Sequence, residues 1–462
     1  MSDPLNFMAQ RVKAATHRRV VPMIATADSI IHANAGLYGN EGAARAIEDM
    51  KREIVAGIQT AAPTENVLEL GESAAPTVRL VNSIIDRAAA ENASDIHLDP
   101  TETELRVRMR IDGVMTSIMA VPKDLQSSVL ARLKIMGGMD ITERRIPQDG
   151  RAGVVAHERN YDLRISTLPT IYGEKVVIRL LDKNSGLLTK ERIGLTGADL
   201  QKYQELLDHS SGVVLIAGPT GSGKSSTMYT MIRQLNTNEV NMMTLEDPVE
   251  YNVDGVNQTQ INEKVGMTFA SGLRSILRQD PDVIAVGEIR DGETAEIAMR
   301  AAITGHLVLS TIHTNNAPAT IDRLRDIGVP NYLIATALNG VISQRLVRRV
   351  CPECKEAYTP DTEELAELGL DPASRLTFYR GGGCPNCFGT GYRGRVAVFE
   401  ILNMTHRLRN AVSRGAQLDE LMTILKEEGR FTPLEENCRR LVLEGTTTTS
   451  EVRRLIGASA EG

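Results

Sequence analysis

The chain has 462 residues, of which 42% are hydrophobic and 24% charged, and 52 Lys and Arg stand against 59 Asp and Glu for a net charge of -7. That length predicts two to four domains with buried cores, and the acidic balance with 3% aromatics and no tryptophan argues against bulk binding to nucleic acid or anionic lipid. No apolar run approaches the roughly 18 residues of a membrane span, and the start "MSDPLNFMAQRVK" lacks the apolar centre of a signal peptide, so the expected compartment is the cytoplasm.

In chain order, residues 1–75 read as short helices, clearest in "EGAARAIEDMKREIVAGIQ", followed by a weakly patterned linker, "TAAPTENVLELGESAAP". Residues 76–190 open with a helix, "VRLVNSIIDRAAAEN", and continue in stretches of period two ("TELRVRMRIDG", "NYDLRISTLP", "EKVVIRLLD"), which predicts an α+β domain. Over 191–345 the apolar runs "VVLIA", "NMMTL", "DVIAV" and "HLVLST" alternate with helical segments, the rhythm of a mostly parallel sheet covered by helices. Residues 346–400 hold two cysteine pairs, and 401–462 read as helices such as "LDELMTILKEEG".

The run "VVLIA" is followed by Gly218, Pro219, Thr220, Gly221, Ser222, Gly223, Lys224 and Ser225, which fits G-x-x-x-x-G-K-[ST] between a strand and a helix, and Ser226 next to it is a further candidate nucleotide contact. Glycines let successive backbone N–H groups close on a phosphate, and the start of the helix adds its positive end. Lys224 then reaches the β and γ phosphates and the Ser225 hydroxyl can ligate Mg²⁺, so ATP with Mg²⁺ is the expected ligand.

Chemistry in such sheets collects at the carboxyl ends of the strands. "MMTLEDPVEY" delivers Glu246 and Asp247 there and "DVIAVGEIRD" delivers Glu288, carboxylates able to orient or deprotonate the attacking water. The second run ends in Gly287 rather than an aspartate, which leaves Mg²⁺ to Ser225, waters and Glu246 or Asp247. Ser310, Thr311 and His313 of "GHLVLSTIHTN" fall where a γ-phosphate sensor would sit. Taken singly, an acid after a strand is more often a cap or a solvated turn; three on one sheet with the phosphate loop favour the catalytic reading.

Cys351 and Cys354 of "CPEC" and Cys384 and Cys387 of "CPNC" are two knuckles separated by 29 residues, the pattern of a closed, structural zinc site; a redox pair is the rival. Cys438 reads as an ordinary buried side chain. Arg106, Arg108 and Arg110 share one strand face, either solvated or set against a neighbouring subunit, and Arg274 and Arg278 at helical spacing leave the same choice.

Together these segments resemble the secretion ATPase superfamily that drives type II secretion and type IV pilus assembly. From about Ala75 onward "ASDIHLDP", "RVRMRIDG", "MDITERRIPQDGR", "ISTLPTIYGEKVVIRLLD", the phosphate loop, "TLEDPVEY", "LRQDPDVIAVGEIRD" and "TGHLVLSTIHTN" follow in the family's order. The resemblance implies a RecA-like P-loop ATPase domain, a preceding α+β, PAS-like domain and a C-terminal zinc-binding helical region. It also implies Glu288 as general base, Glu246 as a second catalytic acid, and His306 and His313 as histidine-box residues, although each histidine keeps a structural alternative. Arg164 and Arg179 would reach the phosphates when the α+β domain closes. The implied assembly is a hexamer working with inner-membrane platform proteins, without nucleic acid, to add pilin or pseudopilin subunits. The cysteine element is similar to that of the assembly branch, which retraction motors lack. Only about 75 residues precede the matching part, so the family's N-terminal partner-binding domain is expected to be shortened. The rivals are a retraction motor, a helicase-like or recombinase-like motor, and a non-catalytic nucleotide switch.

Overall fold

In a computed structural model, residues 41–55, 75–182, 189 and 193–460 are described. The N-terminal stretch 1–40 and nearly all of the expected linker lie outside them. Among the described residues no helix is long and apolar enough to cross a membrane. The chain forms two compact units, one built around residues 75–158 and 163–180 and the other around 193–382 and 391–460.

The first unit contains helices α1 (Glu41–Val55), α2 (Pro76–Ala90) and α3 (Gln126–Met136) and strands β1 (Asp95–Pro100), β2 (Glu104–Ile111), β3 (Val114–Pro122), β4 (Gln148–Ala156), β5 (Arg159–Thr170) and β6 (Gly173–Asp182). The strands form one sheet in the order β3-β2-β1-β6-β5-β4. Helix α2 begins on Pro76, whose missing N–H costs nothing in a first turn, and buries Leu80, Val81, Ile84, Ile85 and Ala88 at helical spacing. On β2 the alternation is strict: Leu105, Val107 and Met109 are wholly buried, while the arginines face outward. Each arginine finds a partner in its own unit: Arg106 pairs with Glu104 at 3.2 Å, Arg108 with Asp99 at 2.7 Å, and Arg110 donates to the carbonyl of Gly113 at 3.0 Å.

The second unit runs α4 (Gly197–Leu207), β7 (Gly212–Ala217), α5 (Lys224–Leu235), β8 (Met242–Glu246), β9 (Asn257–Gln260), α6 (Phe269–Ile276), β10 (Val283–Val286), α7 (Gly292–Ile303), β11 (Leu307–Ile312), α8 (Ala319–Asp326), α9 (Asn331–Ala337), β12 (Leu338–Val350), β13 (Lys355–Tyr358), α10 (Thr362–Glu367), β14 (Phe378–Gly381), β15 (Tyr392–Asn403), α11 (His406–Ser413), α12 (Leu418–Glu428), α13 (Leu434–Leu443) and α14 (Thr449–Ala460). Its main sheet has the order β15-β12-β7-β11-β10-β8-β9, with every pair parallel except β12 with β15. Strands β7, β10 and β11 are buried along their whole length, which is why they read as unbroken apolar runs. Successive residues of β7 feed opposite cores, with Val213, Leu215 and Ala217 on one side and Val214 and Ile216 on the other.

The expected boundaries at 345 and 400 fall inside β12 and β15. Those strands complete the main sheet, and Leu408, Val412, Leu421 and Leu425 of α11 and α12 join the same core as β7, so the C-terminal helices finish this unit rather than form a separate body. Arg278 also departs from expectation: α6 ends at Ile276, and Arg278 sits in the turn beyond it, donating to the Arg274 carbonyl at 2.9 Å.

Candidate functional site

The phosphate loop leaves the carboxyl end of β7 and enters α5 at Lys224. Two of its glycines are required by space as well as by backbone. Gly218 has φ +147°, and a Cβ there would stand 2.5 Å from the carbonyl oxygen of Gln344; Gly223 has φ +89°, and its Cβ would meet the Gln344 amide at 2.8 Å. Gln344 of β12 therefore forms the floor of the loop, and its side-chain oxygen also accepts from the Thr227 hydroxyl at 2.6 Å. Lys224 donates to the carbonyls of Gly218 and Pro219 at 2.7 and 3.1 Å. Burial pulls its ammonium down to about 8, with Glu288 opposing and Arg345 assisting. Ser222 is buried, while Thr220 and Gly221 are exposed at the mouth.

Glu288 follows β10. The amide of Ile289 bonds to the carbonyl of Thr311 at 2.9 Å, and the Thr311 hydroxyl donates to the carbonyl of Gly287 at 2.7 Å, so this turn is buttoned onto β11 on either side of the glutamate. The carboxylate, 18% exposed, pairs with Arg290 and lies 3.4 Å from His313 Nε2. The His313 imidazole is pushed below its ordinary value by burial and then by Lys224, with Glu288 pulling the other way. Lys224, Glu288 and His313 thus share one electrostatic neighbourhood at the carboxyl ends of parallel strands.

Glu246 is held quite differently. It is the last residue of β8 and only 3% exposed, and its carboxylate accepts from the Tyr229 and Thr244 hydroxyls and, at 3.1 Å, from Gln258 Nε2. The Tyr229 oxygen in turn accepts the amides of Glu250 and Tyr251, both at 3.2 Å. Burial and then the Glu246 charge raise the phenol well above its ordinary range. A carboxylate with three donors in a closed network ties α5 to the loop after β8 and keeps about one acceptor position for water or Mg²⁺, a setting that differs from that of Glu288. Asp247, next in the chain, is the exposed carboxylate of that loop.

His306 is also placed away from the site. It precedes β11, and its carbonyl accepts from the Gly212 amide at 3.1 Å, which sets it at the amino ends of β11 and β7. Its ring Nδ1 lies 2.9 Å from the Ala301 carbonyl at the end of α7. Six strand residues separate it from the phosphate-loop end, about 20 Å at 3.3 Å per residue, so His306 and His313 stand at opposite ends of β11.

Two features escaped the sequence reading. Arg345 of β12 lowers the pKa of Lys224 and grips Asn315 beside His313, reaching its carbonyl at 3.3 Å and its side-chain oxygen at 3.0 Å. No motif marks it; it is one polar residue inside a long strand. In the first unit Arg164 and Arg179 line a cavity of about 360 Å³ together with Arg151, Asp149 and Ser166. Arg151 stands within the quoted "QDGR", and only the place of β4 at the sheet edge next to β5 brings it beside the other two. Arg179 is 59% exposed and pairs with Asp95 at 3.1 Å.

The cysteines come together as expected: the four sulfurs lie within 4.8 Å of one another, with Cys384 and Cys387 at 3.7 Å. A zinc ion with Zn–S bonds of about 2.3 Å needs tetrahedral S···S edges of about 3.8 Å, so four thiolates here fit one. Cys438 is buried among Val347, Phe378 and Leu434.

Comparison with known proteins agrees with this geometry. A model of the family described as "Type II/IV secretion system protein" matches residues 71–454. The chain belongs to this family. Type II secretion system protein E of Pseudomonas aeruginosa is 46% identical over 392 residues, covering 85% of this chain and 78% of that protein. Type IV pilus assembly ATPase PilB of Myxococcus xanthus is 43% identical over 460 residues, 98% of this chain and 81% of that one. Among solved structures, the pilus retraction motor PilT with bound ADP is 27% identical with TM-score 0.55, over 81% of this chain and 96% of that one. The Legionella pneumophila ATPase DotB shares the fold, with TM-score 0.60 at 19% identity over 82% of this chain and 95% of that one. This member of the family is an ATPase with an α/β fold, a parallel sheet and a four-cysteine cluster.

Proposed function

We propose that this ATPase couples hydrolysis of ATP to the addition of pilin or pseudopilin subunits at an inner-membrane platform, working as a cytoplasmic hexamer. The observation that carries the catalytic part is the setting of Glu288, partly exposed and steadied by Arg290 and His313 in the charge field of Lys224. Main-chain N–H groups of Gly221 to Ser225 would cradle the phosphates, Lys224 would neutralise the β and γ oxygens, and Ser225 would hold the Mg²⁺ that arrives with ATP. Glu288 orients the attacking water and accepts its proton.

Arg151, Arg164 and Arg179, which line one cavity of the first unit, are guanidinium groups able to fork onto phosphate oxygens and to compensate the charge that develops on hydrolysis. Four thiolates from Cys351, Cys354, Cys384 and Cys387 would hold a structural zinc, whose role is to fix the turn beyond β12. That element and the name of the relative at 43% identity, a type IV pilus assembly ATPase, favour assembly over retraction. The test is Glu288→Gln in the full chain: ATP binding retained and turnover lost supports the base assignment, whereas full turnover rejects it.

A further inference from the structure

The loop from His313 to Pro318 joins β11 to α8 and is held from two adjacent strands. Arg345 of β12 grips it at Asn315, and Glu400 of β15 grips it at Ala317, whose amide donates to the carboxylate at 2.6 Å. Glu400 is 3% exposed, and a carboxylate so deep needs donors on both oxygens. The second donor is the amide of Leu434 at 3.1 Å, the first residue of α13. The charged groups facing Glu400 are Arg345 from β12 and Glu435 from α13. Burial pushes its carboxyl up to about 7 against the pull of the two amides. One side chain therefore joins two segments more than a hundred residues apart in the chain, and no other role in the site uses it.

We propose that Glu400 is a positioning residue that fixes the His313 loop to the N-terminus of α13, so that movement of the loop is passed to the C-terminal helices. This rests on the assignment of Glu288 and His313 to the reacting end of ATP. The carboxylate serves both amides in one geometry only. When the loop shifts, Glu400 must either abandon a buried N–H or carry α13 along. A separate bond fastens the same helix without touching the loop: Asn437 Nδ2 donates to the Phe399 carbonyl at 2.8 Å. It supplies the control.

Full-length Glu400→Gln and Asn437→Ala would be compared with the parent by hydrogen exchange and by ATPase kinetics. Glutamine has one acceptor oxygen, so its NH₂ must face one of the two amides donor to donor. The expected result is exchange faster by about tenfold in peptides covering both 313–318 and 433–438 for Glu400→Gln, and in 433–438 alone for Asn437→Ala. With it, kcat of Glu400→Gln falls by about tenfold while KM for ATP stays within about twofold, and Asn437→Ala keeps the parent kcat. If Glu400→Gln does not fold, Glu400→Asp keeps the charge, reaches only one amide and should give the same pattern. Exchange confined to one segment, an unchanged kcat, or an equal loss in Asn437→Ala would overturn the proposal. A Glu288→Gln variant with full turnover would instead sink the underlying site assignment and leave the exchange pattern untouched.

Discussion

The carboxyl ends of β8 and β10 both carry a glutamate and sit side by side in one sheet, yet the two acids are held in opposite ways. Glu246 is sealed under Tyr229, Thr244 and Gln258. Glu288 is partly open, with the Arg290 guanidinium and the His313 imidazole as its neighbours. The difference teaches that residue type and position after a strand nominate a catalytic acid, and that the number of donors already spent on it decides whether it can act.

The largest effect that would sharpen this contrast is on turnover. Glu288→Gln should lower kcat by on the order of 10²- to 10⁴-fold, and steady-state phosphate release measures it. Metal removal comes next: chelation, or Cys351→Ser, should destabilise the turn that follows β12 by several kcal/mol, read as a fall in Tm together with zinc lost by elemental analysis. Glu246→Gln, by contrast, should reduce kcat by less than about tenfold while lowering stability by about 1 to 3 kcal/mol, because one buried hydroxyl or amide donor is left facing an NH₂ group. Tyr229→Phe breaks the same network from its other side and should cost a similar or smaller amount, with KM for ATP nearly unchanged; denaturant unfolding decides both.

The smallest effect is electrostatic. Burial brings Lys224 down to about 8, so in the free protein it loses its proton as pH rises through that value. Bound phosphates favour the charged form and raise the pKa, so ATP binding should take up protons near pH 8.5 and almost none near pH 6.5. Calorimetry in two buffers of different ionisation enthalpy reads the uptake directly.

The phosphate loop, the parallel strands and the cysteine cluster were legible because each depends on local order: glycine spacing, apolar runs bounded by turns, and paired knuckles. His306 and His313, only seven residues apart, look alike in sequence, yet β11 runs between them and sends them to opposite ends of the sheet. Arg345 and Glu400 were invisible for the complementary reason. They lie in long strands whose register alone brings them to the His313 loop, and register is a non-local property. The same non-local pairing carries β12 and β15 through residues 345 and 400, where the composition changes, as members of one sheet.

The most direct test of the contrast between the two acids is a single-turnover experiment in which full-length Glu288→Gln and Glu246→Gln are each loaded with ATP and quenched over time. Bound but uncleaved ATP in the first, with cleavage within about tenfold of the parent in the second, is the predicted result. Cleavage by Glu288→Gln at the parent rate, or its loss in Glu246→Gln with stability intact, would contradict it.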